Sequence, residues 1–364
     1  MITSFESDPK KPVRQKTNRR DYATEQIKHY IRSRSLQPGD LLPPVRALSE
    51  HFKTSRDATW RALQVLQKEH WIRAKSNRRY EIAEEIYTKI IKSLRIRALF
   101  SGDQYISFSG FRPLADALKR ECGHHNLDLE ISLIPFEDVP LASIWDDCDV
   151  VMVDSSTSSK LLANYDDFPM PVVGLDADYS DRYRANIVTD HHMGGRVAAE
   201  HQIRVGCKEV WLPYFRGSKK NPRVKARIDG FKQAWAEAGR SEGTCVTVPH
   251  EWSQSSFEVT LTVLEHLKKH KSMRDLFVTD GGLAINYLEI LNYLNVPVPG
   301  KVKLIGYDGA QMGTLSNPPM TTIQQDMDKI AQTAISRIVD FAQSPDSTNE
   351  LIRIAPILTK RDSC

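Results

Sequence analysis

The sequence predicts a multidomain chain: a small α+β domain at the N-terminus, then a larger α/β region of two doubly wound subdomains. Length is the first ground, because 364 residues exceed one domain of roughly 100 to 200. Charge is the second: residues 1–80 hold 18 Lys and Arg against 8 Asp and Glu, and the remainder 32 against 38. A basic segment ahead of an acidic body points to a polyanionic partner for the first part. The third is a change of pattern near residue 95, from short helical repeats to alternating apolar runs and helical stretches.

In the basic segment, YATEQIKHYIRSR from Tyr22 reads as a helix with Ile27, Tyr30 and Ile31 on one face, ended by Pro38 and Gly39. Pro43 and Pro44 precede VRALSEHF, a short helix whose apolar face is Val45, Leu48 and Phe52. Lys53 and Thr54 leave a tight connection before Ser55, an N-cap for the next helix. There Thr59, Ala62, Leu63 and Leu66 form the inward stripe and leave Arg56, Asp57 and Trp60 facing elsewhere. Two short helices at a tight turn make a helix-turn-helix, whose second helix presents its N-terminal residues to base edges in the major groove. HWIRAKSNRRYEIA then reads as a β-hairpin with Lys75, Asn77, Arg78 and Arg79 at its tip, a basic wing.

Residues 22–82 resemble a winged helix-turn-helix of the GntR family, on the pattern PGDLLPPVRALSEHFKTSRDATWRALQVLQKEHWI. The resemblance implies double-stranded operator DNA as partner, with Arg46, Ser55 and Arg56 as base or backbone contacts and Asn77 and Arg78 reaching an adjacent groove or phosphates. A bidentate Arg56–guanine contact is worth roughly 1–3 kcal/mol of discrimination. Asp57, Ala58 and Trp60 stand where that family often has Thr, Thr and Arg, which implies a different operator. Asp57 either accepts from a cytosine amino group or caps its own helix. Trp60 either wedges against the sugar-phosphate backbone or packs on a helix neighbour.

Beyond the charged connector AEEIYTKIIKSLR, the strand candidates are IRALF, LEISLI, CDVVMVD, MPVVGLD, NIVTD, EVWLPY, TCVTV, DLFVTD and KVKLIGYD. Several are apolar throughout, as parallel strands buried on both faces are, and they are too many for one compact sheet. From about residue 95, PVVGLD, NIVTDHHMGGRVAAEHQIRVGCKEVWLPY, RVKARIDGFKQAWAEAG, DLFVTDGGLAINYLEILNYLNVPVPGKVKLIGYDG, PPMTTIQQDM and IAPILTKRDS fall in the order of the matching segments of LacI/GalR regulators. That resemblance implies a type I periplasmic-binding-protein-like fold, two subdomains clamping a small ligand. A GntR-type head on a LacI-type sensor is similar to the arrangement of arabinose-type repressors. The hinge helix of the LacI/GalR family has no recognisable counterpart here.

The implied layout is a basic tail over 1–20, a DNA-binding domain over 21–83, a linker over 84–95 and an effector domain over 96–364. Its subdomains are expected at about 96–206 with 327–346, and 207–326 with 347–364. Ligands of open α/β sheets settle beyond the carboxyl ends of strands. Arg227 in ARIDGF matches the family's ligand-gripping arginine; Asp280, Asp308 and Gln325 match polar residues of the same pocket, and Phe111 is the candidate aromatic face. Charged groups bond sugar hydroxyls well, so a sugar is the expected effector. Gly281 replaces an acidic residue common in the family, which leaves the choice of ligand open.

Other chemistry is weakly supported. The five cysteines never fall as CxxC, so neither a disulfide framework nor a zinc knuckle is expected. The histidine pairs at 124–125 and 191–192 read as solvated or capping groups rather than metal ligands. In DSSTSSK the residue three before Lys160 is Thr157, so SxxK fails, and no GK[ST] phosphate loop occurs. No cofactor and no enzymatic activity are expected. The N-terminus lacks the apolar core of a signal peptide and no apolar run is long enough to span a bilayer, so the expected location is the cytoplasm with no membrane partner. The expected protein is a ligand-responsive repressor of carbohydrate-utilisation genes, acting as a homodimer on a pseudo-palindrome. The rivals are a sugar-binding protein related to transport receptors, a regulator sensing a non-sugar metabolite, and an aminotransferase-like fusion.

Overall fold

The computed structural model describes residues 19–34, 36–75, 79–86, 94–102, 112–134, 144–164, 168–176, 180–215, 222–251, 256–270, 274–308, 310–343 and 349–364. The chain divides into two compact units, Met1–Ser93 with Phe341–Asp346, and Leu94–Asp340 with Ser347–Cys364.

The N-terminal unit contains α1 (Arg19–Ser33), α2 (Val45–His51), α3 (Arg56–Lys68), and the antiparallel hairpin β1 (Ile72–Lys75) and β2 (Arg79–Ile82). The first helix starts three residues before Tyr22, at Arg19. Ile27, Ile31, Leu48, Leu63, Leu66, Trp71 and Ile82 meet in one core, as their spacing requires. The turn between α2 and α3 is tight because Lys53 takes φ 53°, and Phe52 N and Thr54 N donate to Leu48 O and Ser49 O. Leu41 makes an isolated antiparallel bridge to Glu81 beside the hairpin. Trp71 is covered by Lys28, whose Nζ lies 5.2 Å from its ring while pairing with Glu69 at 3.1 Å.

The second unit runs through β3 (Arg95–Ser101), α4 (Arg112–His125), β4 (Asp128–Ile134), β5 (Val150–Val153), α5 (Ser155–Asn164), β6 (Val172–Leu175) and β7 (Ala185–Thr189). It continues with α6 (His191–Arg204), β8 (Val210–Phe215), α7 (Pro222–Glu237), β9 (Cys245–His250), α8 (Ser256–His270), β10 (Asp275–Val278) and α9 (Gly281–Tyr293). The last elements are β11 (Leu304–Tyr307), α10 (Ala310–Leu315), β12 (Thr321–Gln324), α11 (Met327–Gln343), β13 (Glu350–Ile354) and β14 (Ile357–Thr359). The first sheet has the order β13-β7-β6-β5-β3-β4 and is parallel. The second has the order β14-β12-β11-β10-β8-β9 and is parallel except for β14. All nine strand candidates are strands; β12, β13 and β14 are additional.

Two expected boundaries are corrected. Residues 347–364 do not all belong to the second subdomain, because Glu350–Ile354 pairs with β7 in the first sheet and only the segment from β14 onward joins the second. Nor does the first subdomain run to residue 206. Helix α6 puts Ala198 and Ala199 against Val210 and Phe231 in the second core, so the chain crosses immediately after β7. The chain therefore crosses between sheets three times: from β7 to α6, from β12 to α11, and from β13 to β14. The crossovers are knit together by Asp190 N donating to Ile354 O at 2.8 Å and Thr189 Oγ1 donating to Gln325 Oε1 at 2.7 Å.

Candidate functional site

The first candidate surface is the N-terminal end of α3. Ser55 Oγ accepts from Ala58 N at 3.2 Å and starts the helix. Thr59 is buried and bonds Thr54 Oγ1 at 2.7 Å, which ties α3 to the turn and fixes how its outer face is presented. That face carries Arg56, Asp57, Trp60 and Arg61, all exposed. Asp57 does not cap the helix; Ser55 does, and the Asp57 carboxylate pairs with Arg61 at 3.1 Å. The i, i+4 spacing of Asp57 and Arg61 is the sequence signal for this pair. Trp60 is 50% exposed, so packing on a helix neighbour does not account for it. Arg46 pairs with Glu50 at 2.9 Å on the outer side of α2. Arg56 has no hydrogen-bond or ion-pair partner among the described residues. In the wing Lys75 pairs with Glu81 and Arg79 is exposed; Asn77 and Arg78 lie outside the described residues.

The second candidate site lies at the carboxyl ends of the two sheets. Arg227 on α7 is 6% exposed and makes three polar contacts. Its Nη1 donates to Thr279 O at 2.8 Å, Nη2 lies 3.1 Å from Asp308 Oδ2, and Nε donates to His191 Nδ1 at 3.3 Å. The guanidinium lies over the Tyr307 ring, 3.6 Å from its centroid. Asp308 follows β11 with φ 64°, a left-handed conformation that turns its carboxylate back toward the crossovers, where Gln325 Nε2 donates to Oδ1 at 3.1 Å. Arg227, Asp308 and Gln325 thus meet as one hydrogen-bonded group. Asp280 caps α9 by accepting from Leu283 N at 3.0 Å, and burial, followed by the nearby Asp308 charge, raises its carboxyl above the ordinary range. Phe111 lies outside the described residues.

Several residues of this site went unread in the sequence. Asp176, after β6, is 1% exposed; it accepts from Thr189 N at 3.1 Å and from Arg223 Nη1 at 3.2 Å. Burial pushes its carboxyl up, but His191, Arg223 and the Thr189 amide outweigh that and hold it well below the usual range. His191, expected to be solvated or capping, is instead buried, with Nδ1 3.0 Å from Tyr307 Oη. Burial and the Arg227 charge lower its proton affinity. No cluster suited to a metal ion occurs among the described residues. The arrangement offers donors and acceptors for hydroxyl or amide groups, with no nucleophile–base pair among them.

The chain thus joins a winged helix-turn-helix to an α/β body of two subdomains. Residues 20–82 match the family described as bacterial regulatory proteins, gntR family, and residues 199–364 match the periplasmic binding protein-like domain. The chain therefore carries a GntR-type head and a periplasmic-binding-protein-like body. It is similar to the HTH-type transcriptional repressor PurR of Photobacterium profundum, at 27% identity over 210 residues, covering 56% of this chain and 59% of that protein. It is also similar to the ribose operon repressor of Escherichia coli K12, at 24% identity over 196 residues, 53% of this chain and 58% of that protein. The matches thus span less than two thirds of these relatives. A LacI family regulator from Enterococcus faecium with bound ribose superposes with a TM-score of 0.59 at 21% identity, over 74% of this chain and 98% of that one. The lac repressor dimer bound to operator and an anti-inducer superposes with a TM-score of 0.56 at 16% identity, over 78% and 98%. These structural likenesses establish the fold. No helix among the described residues is long and apolar enough to cross a membrane.

Proposed function

We propose that this protein is a ligand-responsive transcriptional repressor that binds operator DNA as a homodimer and is modulated by a sugar-like effector. The observation that carries the reading is the joining, in one chain, of a helix-turn-helix whose Arg56 is unpaired among the described residues and an Arg227–Asp308–Gln325 group, with Arg227 buried, between two α/β subdomains. Charged and amide groups in fixed geometry suit a polyhydroxylated ligand, because each hydroxyl both donates and accepts. The alternative reading is a non-sugar metabolite as effector, a purine among the candidates. A thermal-shift screen of the full chain against pentoses, hexoses and purines separates the two, since a ligand that binds only the folded state raises its melting temperature. No stabilisation by any of them would overturn both.

Arg56→Ala is expected to weaken binding to DNA selected from a random pool by about 5- to 150-fold, from the roughly 1–3 kcal/mol of a bidentate base contact. Fluorescence anisotropy at fixed salt measures it. An unchanged affinity would remove Arg56 from the interface. For the dimer, support comes from exposed apolar side chains on neighbouring helices: Leu261, Tyr293 (82% exposed) and Leu315 (80% exposed). Tyr293→Glu combined with Leu315→Glu is expected to shift sedimentation from dimer to monomer; a dimer that persists would place the interface elsewhere.

A further inference from the structure

The two halves of the sensor repeat one device. Asp176 follows VVGL of β6 and Asp308 follows LIGY of β11; both are left-handed, with φ 48° and 64°. Each donates its backbone N–H across to the next strand, to Ile187 O and to Ile323 O, both at 2.8 Å. Two residues beyond each isoleucine, Thr189 and Gln325 hydrogen-bond the respective carboxylates. Helix α7 supplies an arginine to each, one turn apart: Arg223 to Asp176 and Arg227 to Asp308.

The halves differ in where the partners come from. Asp308 and Arg227 both belong to the second subdomain. Asp176 belongs to the first, and its ionic partners among the described residues, Arg223 and His191, both come from the second. His191 stands between the two devices. Its Nε2 is 3.3 Å from Asp176 Oδ1, in electrostatic contact but off the line of a well-aligned hydrogen bond. Its Nδ1 faces the Arg227 Nε–H at 3.3 Å and the Tyr307 hydroxyl at 3.0 Å. A guanidinium N–H can only donate, so Nδ1 must be the acceptor and the ring proton sits on Nε2, facing the carboxylate.

We propose that Asp176, Arg223 and His191 form an ionic clasp across the two subdomains, and that His191 is a positioning residue that relays the closure of the clasp to Arg227. Separating the subdomains takes the Asp176 carboxylate away from the Arg223 cation and the His191 Nε2–H at once and leaves a buried charge uncompensated. His191 then loses the anion that orients its ring, and Arg227 Nε loses a fixed acceptor. The Nε contact of Arg227 is therefore conditional on closure, whatever the effector is.

The same geometry makes the clasp sensitive to pH. A second proton on His191 would go to Nδ1, against the Arg227 N–H and in place of the bond from Tyr307. The charged and titratable groups facing the ring are Asp176 beyond β6, Tyr307 and Asp308 at the end of β11, and Arg227 on α7, while Arg223 on the same helix pairs with Asp176. Burial opposes that proton most, the Arg227 charge adds to it, and Asp176 and Asp308 favour it without prevailing. A histidine with lowered proton affinity contributes its stability fully above its unfolded pKa, about 6.5, and that contribution is lost as pH falls below that value.

The test uses the full ligand-free chain. Asp176→Asn and Arg223→Gln are each expected to raise amide exchange in residues 222–237 by about tenfold or more, as local opening does. Arg223→Lys is expected to restore part of the protection. Small-angle scattering should show a larger radius of gyration for Asp176→Asn. His191→Gln is expected to melt below the native chain at pH 7.5 and to converge with it at pH 5.5. Should Asp176→Asn fail to fold, the Arg223 pair and the His191 melting profile decide alone. Unchanged exchange in both Arg223 variants, or a His191→Gln deficit that is the same at both pH values, would overturn the proposal.

Discussion

Alanine at Gly230 is expected to lower the stability of the sensor by about 3 kcal/mol or more, the upper end for overpacking. A Cβ there would sit 1.9 Å from His192 O; one at Gly195 would sit 1.9 Å from Arg227 O. The two glycines are reciprocal, each opening α6 or α7 to the carbonyl of the other helix. A flexible side chain could swing away from an added methyl, but a carbonyl inside a helix moves only if the helix moves. The carbonyls concerned belong to Arg227 itself and to the neighbour of His191, so the helices cannot separate without disturbing the site. At roughly 2–4 °C per kcal/mol for a unit of this size, the melting temperature should fall by about 6–12 °C in calorimetry. Gly123→Ala is the control: nothing lies within 4 Å of its added Cβ on α4, and removing a helical glycine is expected to be neutral or to stabilise by up to about 1 kcal/mol. Equal losses at Gly230 and Gly123 would show that the helix crossing is not held by close backbone approach.

The pair Gly195 and Gly230 also shows where sequence reading stopped. The helix-turn-helix was legible because its signals are local: Pro44 and Ser55 mark helix starts, and the apolar spacing within α3 names its buried face. The nine strand candidates were legible because parallel strands covered on both faces are apolar throughout. Strand β12 was not, since Thr321 and Thr322 are polar and are satisfied by groups some forty residues on: Ser363 Oγ accepts from Thr321 N, and Thr321 Oγ1 donates to Arg361 O. Which sheet a helix covers is likewise not a local property, and α6 was assigned to the wrong subdomain for that reason. His191 was discounted as one of a pair of adjacent histidines, because its partners are 36 and 116 residues away in the chain. Arg227, Asp308 and Gln325 were found through family resemblance; their bonds to one another came only from the fold.

Replacing Arg227 by alanine is expected to abolish effector binding and to destabilise the sensor by about 3 kcal/mol, the lower end for stripping one member of a buried ion pair. The lower end applies because the Asp308 side chain keeps 18% exposure and some water. The guanidinium also covers the Tyr307 ring, satisfies Thr279 O and donates to His191. A lysine keeps the charge but cannot serve these directions together, so Arg227→Lys is expected to recover little of the binding. The contribution of charge alone can be isolated by a cycle. If the main cost of Arg227→Ala is the uncompensated Asp308 carboxylate, then adding Asp308→Asn should restore about 1–2 kcal/mol, because the second substitution removes the charge that the first left without its partner. Gln325 would still find an amide to bond. A double variant no more stable than Arg227→Ala would mean that packing on Tyr307 and the bond to Thr279 O, not the ion pair, hold this arginine in the cleft.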